Sequence, residues 1–284
     1  MQQDQFDEEI IRIIKNAIRE DVGENDHSSL ASIPPEARSK AKLVVREPGV
    51  LAGIEFAQRV FSYIDDSIQL GIRMKDGEMM KEGDIPFYVA GNSHSILKAE
   101  RLVLNVIQRM SAIATKTNQF TEKLKGTKTQ ILDTRKTTPG IRALEKWAVR
   151  IGGGINHRFG LYDMIMLKDN HIDFAGGIKP AIEKTLEYKK EKNLNIKVVV
   201  EARNLDEVKE ILSCGGIDQI LLDNFNYKDT KKAVQLIGNT CKTESSGNIT
   251  LETARKYANC GVDFISSGAL THSVSNLDLG LDAV

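Results

Sequence analysis

Residues 196–224 read IKVVVEARNLDEVKEILSCGGIDQILLDN and contain two short apolar runs, IKVVV and QILL, with a helical segment between them. Short apolar runs that alternate with helical segments are typical of parallel β/α units. Each run is followed directly by a carboxylate, Glu201 or Asp223. This stretch therefore predicts two parallel strands that carry acidic side chains at their carboxyl ends.

The same pattern recurs along the chain after residue 128. Further apolar runs lie at 130–133, 161–167 and 262–265, and a weaker candidate lies at 238–242. Strands that alternate with helices over this length predict an α/β fold, which is either a barrel or a doubly wound sheet.

Polar or ionisable residues follow each of these runs. They are Thr134, Arg135 and Lys136; Lys168, Asp169, Asn170 and His171; Glu201; Asp223 and Asn224; Glu244, Ser245, Ser246 and Gly247; and Ser266, Ser267 and Gly268. A single charged strand end means little, because any loop can be charged. Since α/β barrels hold their active sites at the carboxyl ends of the strands, this repeated placement predicts an active site at that edge.

The first 115 residues mix helices with short strands and are predicted to form an N-terminal domain, followed by the predicted parallel α/β domain at 116–269. The predicted N-terminal elements are an amphipathic helix at 7–19, a loop at 23–38, strands at 41–46 and 68–74, and a long helix at 95–119.

The composition argues against several classes of protein. The 284 residues contain 39 Lys plus Arg and 39 Asp plus Glu, and this zero balance is unlike the basic surface of a general nucleic-acid binder. No apolar stretch approaches the ~20 residues that span a bilayer. The acidic N-terminus lacks the features of a signal peptide, and the three cysteines include no C-x-x-C pair. These features predict a cytoplasmic protein without a membrane segment or a structural zinc site.

Two segments predict an anion-binding site. Residues 133–142, DTRKTTPGIR, concentrate cations and hydroxyls, and residues 151–158, IGGGINHR, bring three glycines next to a histidine and an arginine. Arginine presents a planar fork to a carboxylate or phosphate, and glycines let a backbone approach a ligand closely. Neither segment is a Walker loop or a dinucleotide-binding loop. Lys168 is predicted to be either an anion ligand or, if desolvated, a Schiff-base nucleophile.

The remaining strand ends predict binding of a phosphate and a cation. Ser245-Ser-Gly-Asn248 and Ser266-Ser-Gly-Ala-Leu270 resemble paired loops that hold one phosphate in barrels. Glu201 and Asp223 suit Mg²⁺ bound through substrate oxygens, stabilisation of a cationic sugar, or simple ion pairing with nearby cations.

These segments resemble one known family. DTRKTTPGIRALEK at 133–146, GGGINHR at 152–158 and LKDNH at 167–171 are similar to quinolinate phosphoribosyltransferase (nicotinate-nucleotide pyrophosphorylase, carboxylating). Shorter matches extend the resemblance nearly from end to end, at 20–23, 48–53, 105–111, 200–201, 222–224 and 268–273.

The resemblance implies a fold, a reaction and an assembly. The fold is an N-terminal α/β sandwich domain plus an incomplete (β/α) TIM-like barrel, the type II phosphoribosyltransferase arrangement, with 270–284 packed back on the N-terminal domain. In the reaction, quinolinate and phosphoribosyl pyrophosphate, with Mg²⁺ as cofactor, give nicotinate mononucleotide, pyrophosphate and CO₂ for NAD biosynthesis. The assembly is a homodimer, in some members a hexamer, in which the partner subunit completes each site.

The resemblance also implies roles for individual residues. Lys136, Glu201 and Asp223 are the implied catalytic residues, and Glu201 and Asp223 also bind the metal. The implied substrate-binding residues are Arg109 of the partner subunit, Thr134, Arg135, Lys136, His157, Arg158, Lys168, Glu201, Asp223, Ser245, Ser246, Gly247, Asn248, Ser267 and Gly268.

The sequence departs from the family pattern at two places. Asn248 stands where a second glycine is common, and we expect the turn to survive because asparagine tolerates left-handed backbone angles. Val200-Glu-Ala-Arg203 is less acidic than in relatives. Three other functions remain open from the residues: a barrel aldolase with Lys168 as Schiff base, a barrel that binds a sugar phosphate without turnover, and a relative that uses another ring acid.

Overall fold

A computed structural model describes residues 3–284 and divides into two compact units. Unit 1 comprises the chain up to Asn118 together with Thr137–Gly153 and Leu270–Val284, and unit 2 comprises Gln119–Lys136 and Gly154–Ala269. The domain boundary predicted between residues 115 and 116 is not tested by this division and stays a prediction. Among the residues described, no helix has both the length and the apolar character needed to cross a membrane.

In chain order the elements are α1 (Gln3–Val22), α2 (His27–Ser32), β1 (Arg38–Val45), β2 (Gly49–Val50), α3 (Ile54–Ile64), β3 (Gln69–Ile72), β4 (Met79–Met80), β5 (Phe87–Asn92), α4 (Ser93–Leu124), β6 (Gln130–Leu132), α5 (Arg142–Ile151), β7 (Met164–Leu167), α6 (Asp169–Ala175), α7 (Ile178–Glu191), β8 (Lys197–Ala202), α8 (Leu205–Cys214), β9 (Gln219–Asp223), α9 (Tyr227–Ile237), β10 (Lys242–Ser246), α10 (Ala254–Ala258), β11 (Phe264–Ser266), α11 (Ala269–His272) and β12 (Leu279–Ala283).

Unit 1 is built around a four-stranded antiparallel sheet. Its strand order is β12-β1-β5-β3, so the last strand of the chain pairs with the first, with Leu43 opposite Leu281. Strand β1 alternates between buried and partly exposed positions, as expected for a sheet with one face packed on helices. On the buried face, the rings of Phe61 and Phe87 meet edge to face with their centroids 6.2 Å apart. This arrangement is the α/β layer structure expected for the N-terminal part.

Two helices of unit 1 differ from the sequence prediction. The segment at 23–38, predicted to be a loop, contains α2, because the carboxylate of Asp26 accepts hydrogen bonds from the backbone N–H groups of Ser28 and Ser29 and caps the helix. Helix α3 was not predicted at all. The helices predicted at 7–19 and 95–119 are confirmed within α1 and α4, and both are longer than predicted.

Unit 2 contains a six-stranded parallel sheet in the order β6-β11-β10-β9-β8-β7. From β7 to β11 the neighbours follow chain order, and β6 pairs with β11 as the first strand of a closed barrel pairs with the last. Between β6 and the β7 side, the described residues show one isolated bridge, from Leu132 to Ile155. A doubly wound sheet would instead reverse its strand order at an interior strand. The predicted incomplete barrel is therefore confirmed, open between β6 and β7.

The partly buried carboxylate of Asp263 ties β10 to the chain at the amino end of β11. It accepts hydrogen bonds from the backbone N–H of Thr243 (3.0 Å) and the hydroxyl of Thr243 (2.8 Å), and the ammonium groups of Lys242 and Lys128 lie 3.1 and 3.3 Å away. Burial alone would raise the pKa of Asp263, but these hydrogen bonds and charges lower it to about 2.

We expect Asp263→Asn to lower the free energy of unfolding at pH 7 by about 1–3 kcal/mol, because the charged acceptor of four donors becomes a neutral amide. The native pKa lies below the unfolded value of about 3.9, so the stabilisation is present above that pH and is lost as pH falls toward 2. Urea unfolding at pH 7 and at pH 3 measures both effects. Asp206→Asn, which removes an exposed ion pair with Lys209, is the matched control and should change little. Equal midpoints for wild type and Asp263→Asn at pH 7 would contradict this role.

Candidate active site

Side-chain alternation along the barrel strands places three charged residues on the same face. Met166, Val199 and Leu221 form a buried apolar layer. Because side chains on a strand alternate between faces, the residues two positions later lie on the same face, nearer the carboxyl edge. Those residues are Lys168, Glu201 and Asp223. The structure thus confirms that the sheet presents these predicted residues together at its carboxyl edge.

Glu201 lies at the centre of this charged group. Its carboxylate is 3.6 Å from the ammonium nitrogen of Lys168, and it accepts a hydrogen bond from the backbone N–H of Asp169. Burial raises the pKa of Glu201 above its ordinary value, the charge of Lys168 opposes this, and the nearby carboxylate of Asp223 adds to it. Two neighbouring carboxylates concentrate negative charge, which suits a cation.

A second group of charges consists of Arg135 and Arg158. Arg158 is 7% exposed, and its guanidinium donates a hydrogen bond to the carbonyl oxygen of Met164 (3.3 Å). Burial lowers the pKa of Arg158, the positive charge of Arg135 lowers it further, and Asp163 opposes both effects. A buried cation near a second cation favours binding of an anion, because the anion would offset both the desolvation of Arg158 and its repulsion by Arg135.

The segment that carries Arg158 runs beside strand β6. The backbone N–H of Ile155 donates to the carbonyl of Ile131 (2.9 Å), and the N–H of Asp133 donates to the carbonyl of Ile155 (3.2 Å). The carboxylate of the fully buried Asp133 then accepts from the N–H of His157 (2.8 Å) and from the side chain of Asn156 (2.6 Å). Residues 155–158 are therefore fixed at the carboxyl end of β6.

Two of these groups were not predicted as site residues. Asp133 and Glu244 are both fully buried, and Glu244 lies opposite His157, with 3.3 Å between its Oε2 atom and Nε2 of the ring. The signal that could have found Glu244 is its two-residue spacing from Ser246, which places both side chains on one face of β10. The sequence prediction also placed Glu244 and Ser245 after the fifth strand, whereas both lie within β10.

The loop after β10 is built against the end of β9. The backbone N–H of Asn224 donates to the carbonyl of Ser246 (2.9 Å), and the side chain of Asn248 donates to that of Asn224 (3.3 Å). Gly247 has a φ of +93°, and Asn248 has a φ of +51°. The expectation that Asn248 adopts left-handed angles is confirmed. The loop turns sharply, as a backbone cradle for an anion does.

The serines of the two predicted phosphate loops have different surroundings. The hydroxyl of Ser267 donates to the carbonyl of Ile249 (2.8 Å) and so joins one loop to the other. Ser245 is 1% exposed and lies on the face of β10 opposite to Glu244 and Ser246. Participation of Ser245 and Ser267 in substrate binding stays a prediction.

Arg109 and the second half of the basic segment belong to unit 1. The guanidinium of Arg109 donates to the buried carboxylate of Glu145 (2.8 and 3.1 Å) and to the carbonyls of Thr271 and Val274. The same carboxylate accepts from the N–H and the hydroxyl of Thr138 (3.0 and 2.8 Å). This network orders the C-terminal half of the segment 133–142 within unit 1.

The glycine run at 152–154 has a packing role at its first position. A Cβ atom on Gly152 would overlap the carbonyl oxygen of Ala114 and lie 2.7 Å from Cβ of Thr117, both in α4. In the sequence analysis these glycines were interpreted as letting the backbone approach a ligand closely. For Gly152 the close neighbour is instead a helix of its own unit.

The fold and this site define a class of protein: an incomplete α/β barrel enzyme that binds small anionic substrates at the carboxyl edge of its strands. The family models described as "Quinolinate phosphoribosyl transferase, N-terminal domain" and "Quinolinate phosphoribosyl transferase, C-terminal domain" match residues 26–111 and 113–282. The chain belongs to the quinolinate phosphoribosyltransferase family.

Individual relatives agree with this assignment. The chain is 45% identical to a protein of Arabidopsis thaliana named nicotinate-nucleotide pyrophosphorylase (carboxylating), chloroplastic, across 95% of this chain and 81% of that protein. It is 40% identical to the probable enzyme of the same name from Bacillus subtilis, across 95% and 92%. A solved structure of the nicotinate-nucleotide pyrophosphorylase from Francisella tularensis superimposes with a TM-score of 0.90 at 37% identity, across 98% of this chain and 96% of that one.

Proposed function

We propose that the chain transfers the phosphoribosyl group of phosphoribosyl pyrophosphate to quinolinate and releases CO₂, giving nicotinate mononucleotide for NAD biosynthesis. The observation that carries this proposal is the edge of the parallel sheet, where a buried arginine, further cations, paired carboxylates and a sharply turned loop occupy neighbouring strand ends. Names of the relatives support the same reaction. A cytoplasmic location stays a prediction from the sequence, and the Arabidopsis relative is named as chloroplastic.

Quinolinate is a dianion, and in this proposal Arg135, Arg158 and Lys168 bind its two carboxylates. His157, which the resemblance also placed there, has both ring nitrogens in hydrogen bonds within the protein. A buried arginine can form two parallel charge-assisted hydrogen bonds with one carboxylate, which fixes the plane of the ring as well as its position. Lys168 supplies a compact charge at the next strand end. Binding of the dianion would also relieve the repulsion between Arg135 and Arg158.

Glu201 and Asp223 would hold Mg²⁺ and the ribose. Within residues 3–284, no cluster of three or more His, Cys, Asp or Glu side chains is arranged to hold a metal ion. Two carboxylates nevertheless fit Mg²⁺, which commonly takes one or two protein carboxylates and completes its shell with water and substrate phosphates. The bound ion would neutralise the departing pyrophosphate, next to which we place Lys136.

The same two carboxylates suit the transition state of the transfer. As pyrophosphate leaves, positive charge develops on the ribose ring, and fixed carboxylates nearby stabilise it without reorganising. The pyridine nitrogen then attacks C1 of the ribose. The resulting quaternary nitrogen stabilises the electron pair left on the ring carbon when the 2-carboxylate departs as CO₂, and that carbon then takes up a proton from water. No nucleophile from the protein is needed.

The loop Ser246-Gly247-Asn248, together with Gly268, is the proposed cradle for the 5′-phosphate. Its backbone N–H groups come from positions with positive or tightly turned angles, which suits an anion. Thr134, also proposed to bind substrate, accepts the backbone N–H of Lys136 through its hydroxyl (3.0 Å).

We also propose a homodimer, with a hexamer as the alternative, in which Arg109 of the partner subunit completes each site. Support for this part comes from the sequence resemblance. Within its own chain, Arg109 already donates to Glu145 and to two backbone carbonyls.

An aldolase reaction is less well supported by the geometry. A Schiff-base lysine at neutral pH is usually desolvated or placed beside another cation. The side chain of Lys168 is instead 49% exposed and lies beside a carboxylate.

The proposed function is tested by incubating the purified chain with quinolinate, phosphoribosyl pyrophosphate and MgCl₂ and measuring nicotinate mononucleotide by chromatography. We expect product only when all three are present, and none when EDTA is in excess over Mg²⁺. Product formation without phosphoribosyl pyrophosphate, or no product under complete conditions, would overturn the proposal.

A further inference from the structure

We propose that Glu244, which has no assigned role in the reaction, is a positioning residue that orients Arg158, one of the proposed quinolinate-binding cations, through His157. This inference rests on the proposed function. It concerns three neighbouring groups of unit 2, namely Glu244 on β10, the ring of His157, and the main chain of Arg158.

The pairing of Glu244 with His157 is buried. The side chains of His157 and Glu244 are 6% and 1% exposed, and 3.3 Å separates Nε2 of the ring from Oε2 of the carboxylate. Gln219, at the start of β9, donates its side-chain amide to the same Oε2 atom. The carboxylate is therefore held by two strands and presents a fixed acceptor to the ring.

The other ring nitrogen determines how the proton is placed. The backbone N–H of Arg158 lies 2.7 Å from Nδ1 of His157, and because an amide N–H only donates, Nδ1 is the acceptor. In the neutral ring the proton then lies on Nε2, where Glu244 accepts it. The ring thus joins the buried carboxylate directly to the backbone of Arg158.

This link decides where the cation lies. Asp133 fixes the backbone N–H of His157, and Glu244 fixes the ring, so the segment is held from two strands, β6 and β10. The side chain of Arg158 extends from this fixed backbone. Its guanidinium is restrained further by the hydrogen bond that it donates to the carbonyl oxygen of Met164. A cation that must meet a planar carboxylate needs such restraints, because small displacements weaken bidentate contacts.

If Glu244 had only a packing role, its buried carboxylate would destabilise the fold relative to an apolar side chain. Its Oε1 atom is buried without a hydrogen-bond partner among the residues described. Leaving a buried carboxylate oxygen without a donor is destabilising, and an apolar side chain of similar volume would avoid that cost. We infer that the carboxylate is present for the acceptor that it offers to His157.

The test compares Glu244→Gln with Glu244→Leu. Glutamine keeps an oxygen that can accept from His157 and Gln219, whereas leucine fills the space without an acceptor. We expect Glu244→Leu to raise KM for quinolinate about tenfold or more while KM for phosphoribosyl pyrophosphate stays within about twofold, and Glu244→Gln to restore KM for quinolinate to within about threefold of wild type. Asp263→Asn is the matched control, because Asp263 is another carboxylate that accepts several hydrogen bonds, at the opposite edge of the same sheet. This variant should leave both KM values unchanged.

A second measurement does not depend on activity or on the folding of Glu244→Leu. In protein labelled with ¹⁵N-histidine, with His157→Asn used for assignment, the wild-type ring should show the Nε2–H tautomer. An Nδ1–H tautomer, equal KM values for Glu244→Leu and wild type, or a parallel rise of both KM values would overturn the positioning role. Failure of wild type to turn over quinolinate would instead contradict the proposed function alone, since the tautomer remains measurable.

Discussion

Replacing Arg158 with alanine is expected to lower kcat/KM for quinolinate by about 100-fold to 10,000-fold. In the proposed binding mode the change removes two charge-assisted hydrogen bonds to a substrate carboxylate, each worth about 1.5–3 kcal/mol. KM for phosphoribosyl pyrophosphate should change little. Arg135→Ala should have a smaller effect, about 1.5–3 kcal/mol in kcat/KM, since Arg158 remains to hold the dianion.

Steady-state kinetics with each substrate varied in turn measure this effect. Arg46→Ala is the control, because it removes an exposed arginine whose partner, Asp282, is also exposed. Near-wild-type kinetics in Arg158→Ala would refute the placement of quinolinate beside Arg158. Equal decreases of kcat/KM in Arg158→Ala and Arg46→Ala would indicate an effect of overall surface charge and not of a contact with quinolinate.

Replacing Gly247 with alanine is expected to raise KM for phosphoribosyl pyrophosphate by about tenfold to 100-fold, since small displacements of binding groups weaken oriented contacts strongly. An added Cβ would overlap Oδ1 of Asn224 and lie 2.6 Å from its Cγ atom. The backbone φ of +93° also disfavours any residue with a side chain. The loop must therefore move away from β9.

Isothermal titration with phosphoribosyl pyrophosphate and steady-state kinetics both report this change. Gly126→Ala is the matched control, because Gly126 has a φ of +76° with open space around its Cα atom and precedes β6 at the amino edge of the sheet. We expect Gly126→Ala to lose some stability with unchanged KM. Unaltered affinity in Gly247→Ala would show that the loop after β10 does not hold the phosphate.

The sequence predicted parallel β/α units correctly because apolar runs and polar strand ends are local patterns. These patterns left a barrel and a doubly wound sheet both open, and only the family resemblance indicated the incomplete barrel. Lys168, Glu201 and Asp223 each follow an apolar run, so their meeting at one edge follows from parallel pairing alone. The prediction failed for α2, where a single Asp26 cap outweighs a segment rich in loop-forming residues. Strand β10 was placed too early, because Thr243, Glu244 and Ser245 are polar yet buried within it.

The pairing of His157 with Glu244 could not be read from the sequence. The two residues are 87 positions apart, and their contact depends on the curvature of the sheet and on Asp133 fixing the loop. The residue type did not indicate this pairing either, because a histidine after a glycine run can contact a substrate as readily as a buried carboxylate. Only the hydrogen bonds on both ring nitrogens show that this ring links two parts of the protein.

The most direct test of the proposed reaction follows the carbon that leaves. Quinolinate labelled with ¹⁴C in its 2-carboxylate is incubated with the enzyme, phosphoribosyl pyrophosphate and MgCl₂, and labelled CO₂ is counted against nicotinate mononucleotide, with nicotinate as the competing substrate. Equal amounts of labelled CO₂ and nucleotide, without turnover of nicotinate, are the predicted result. Nucleotide formed from nicotinate but not from quinolinate would contradict a site built for two carboxylates.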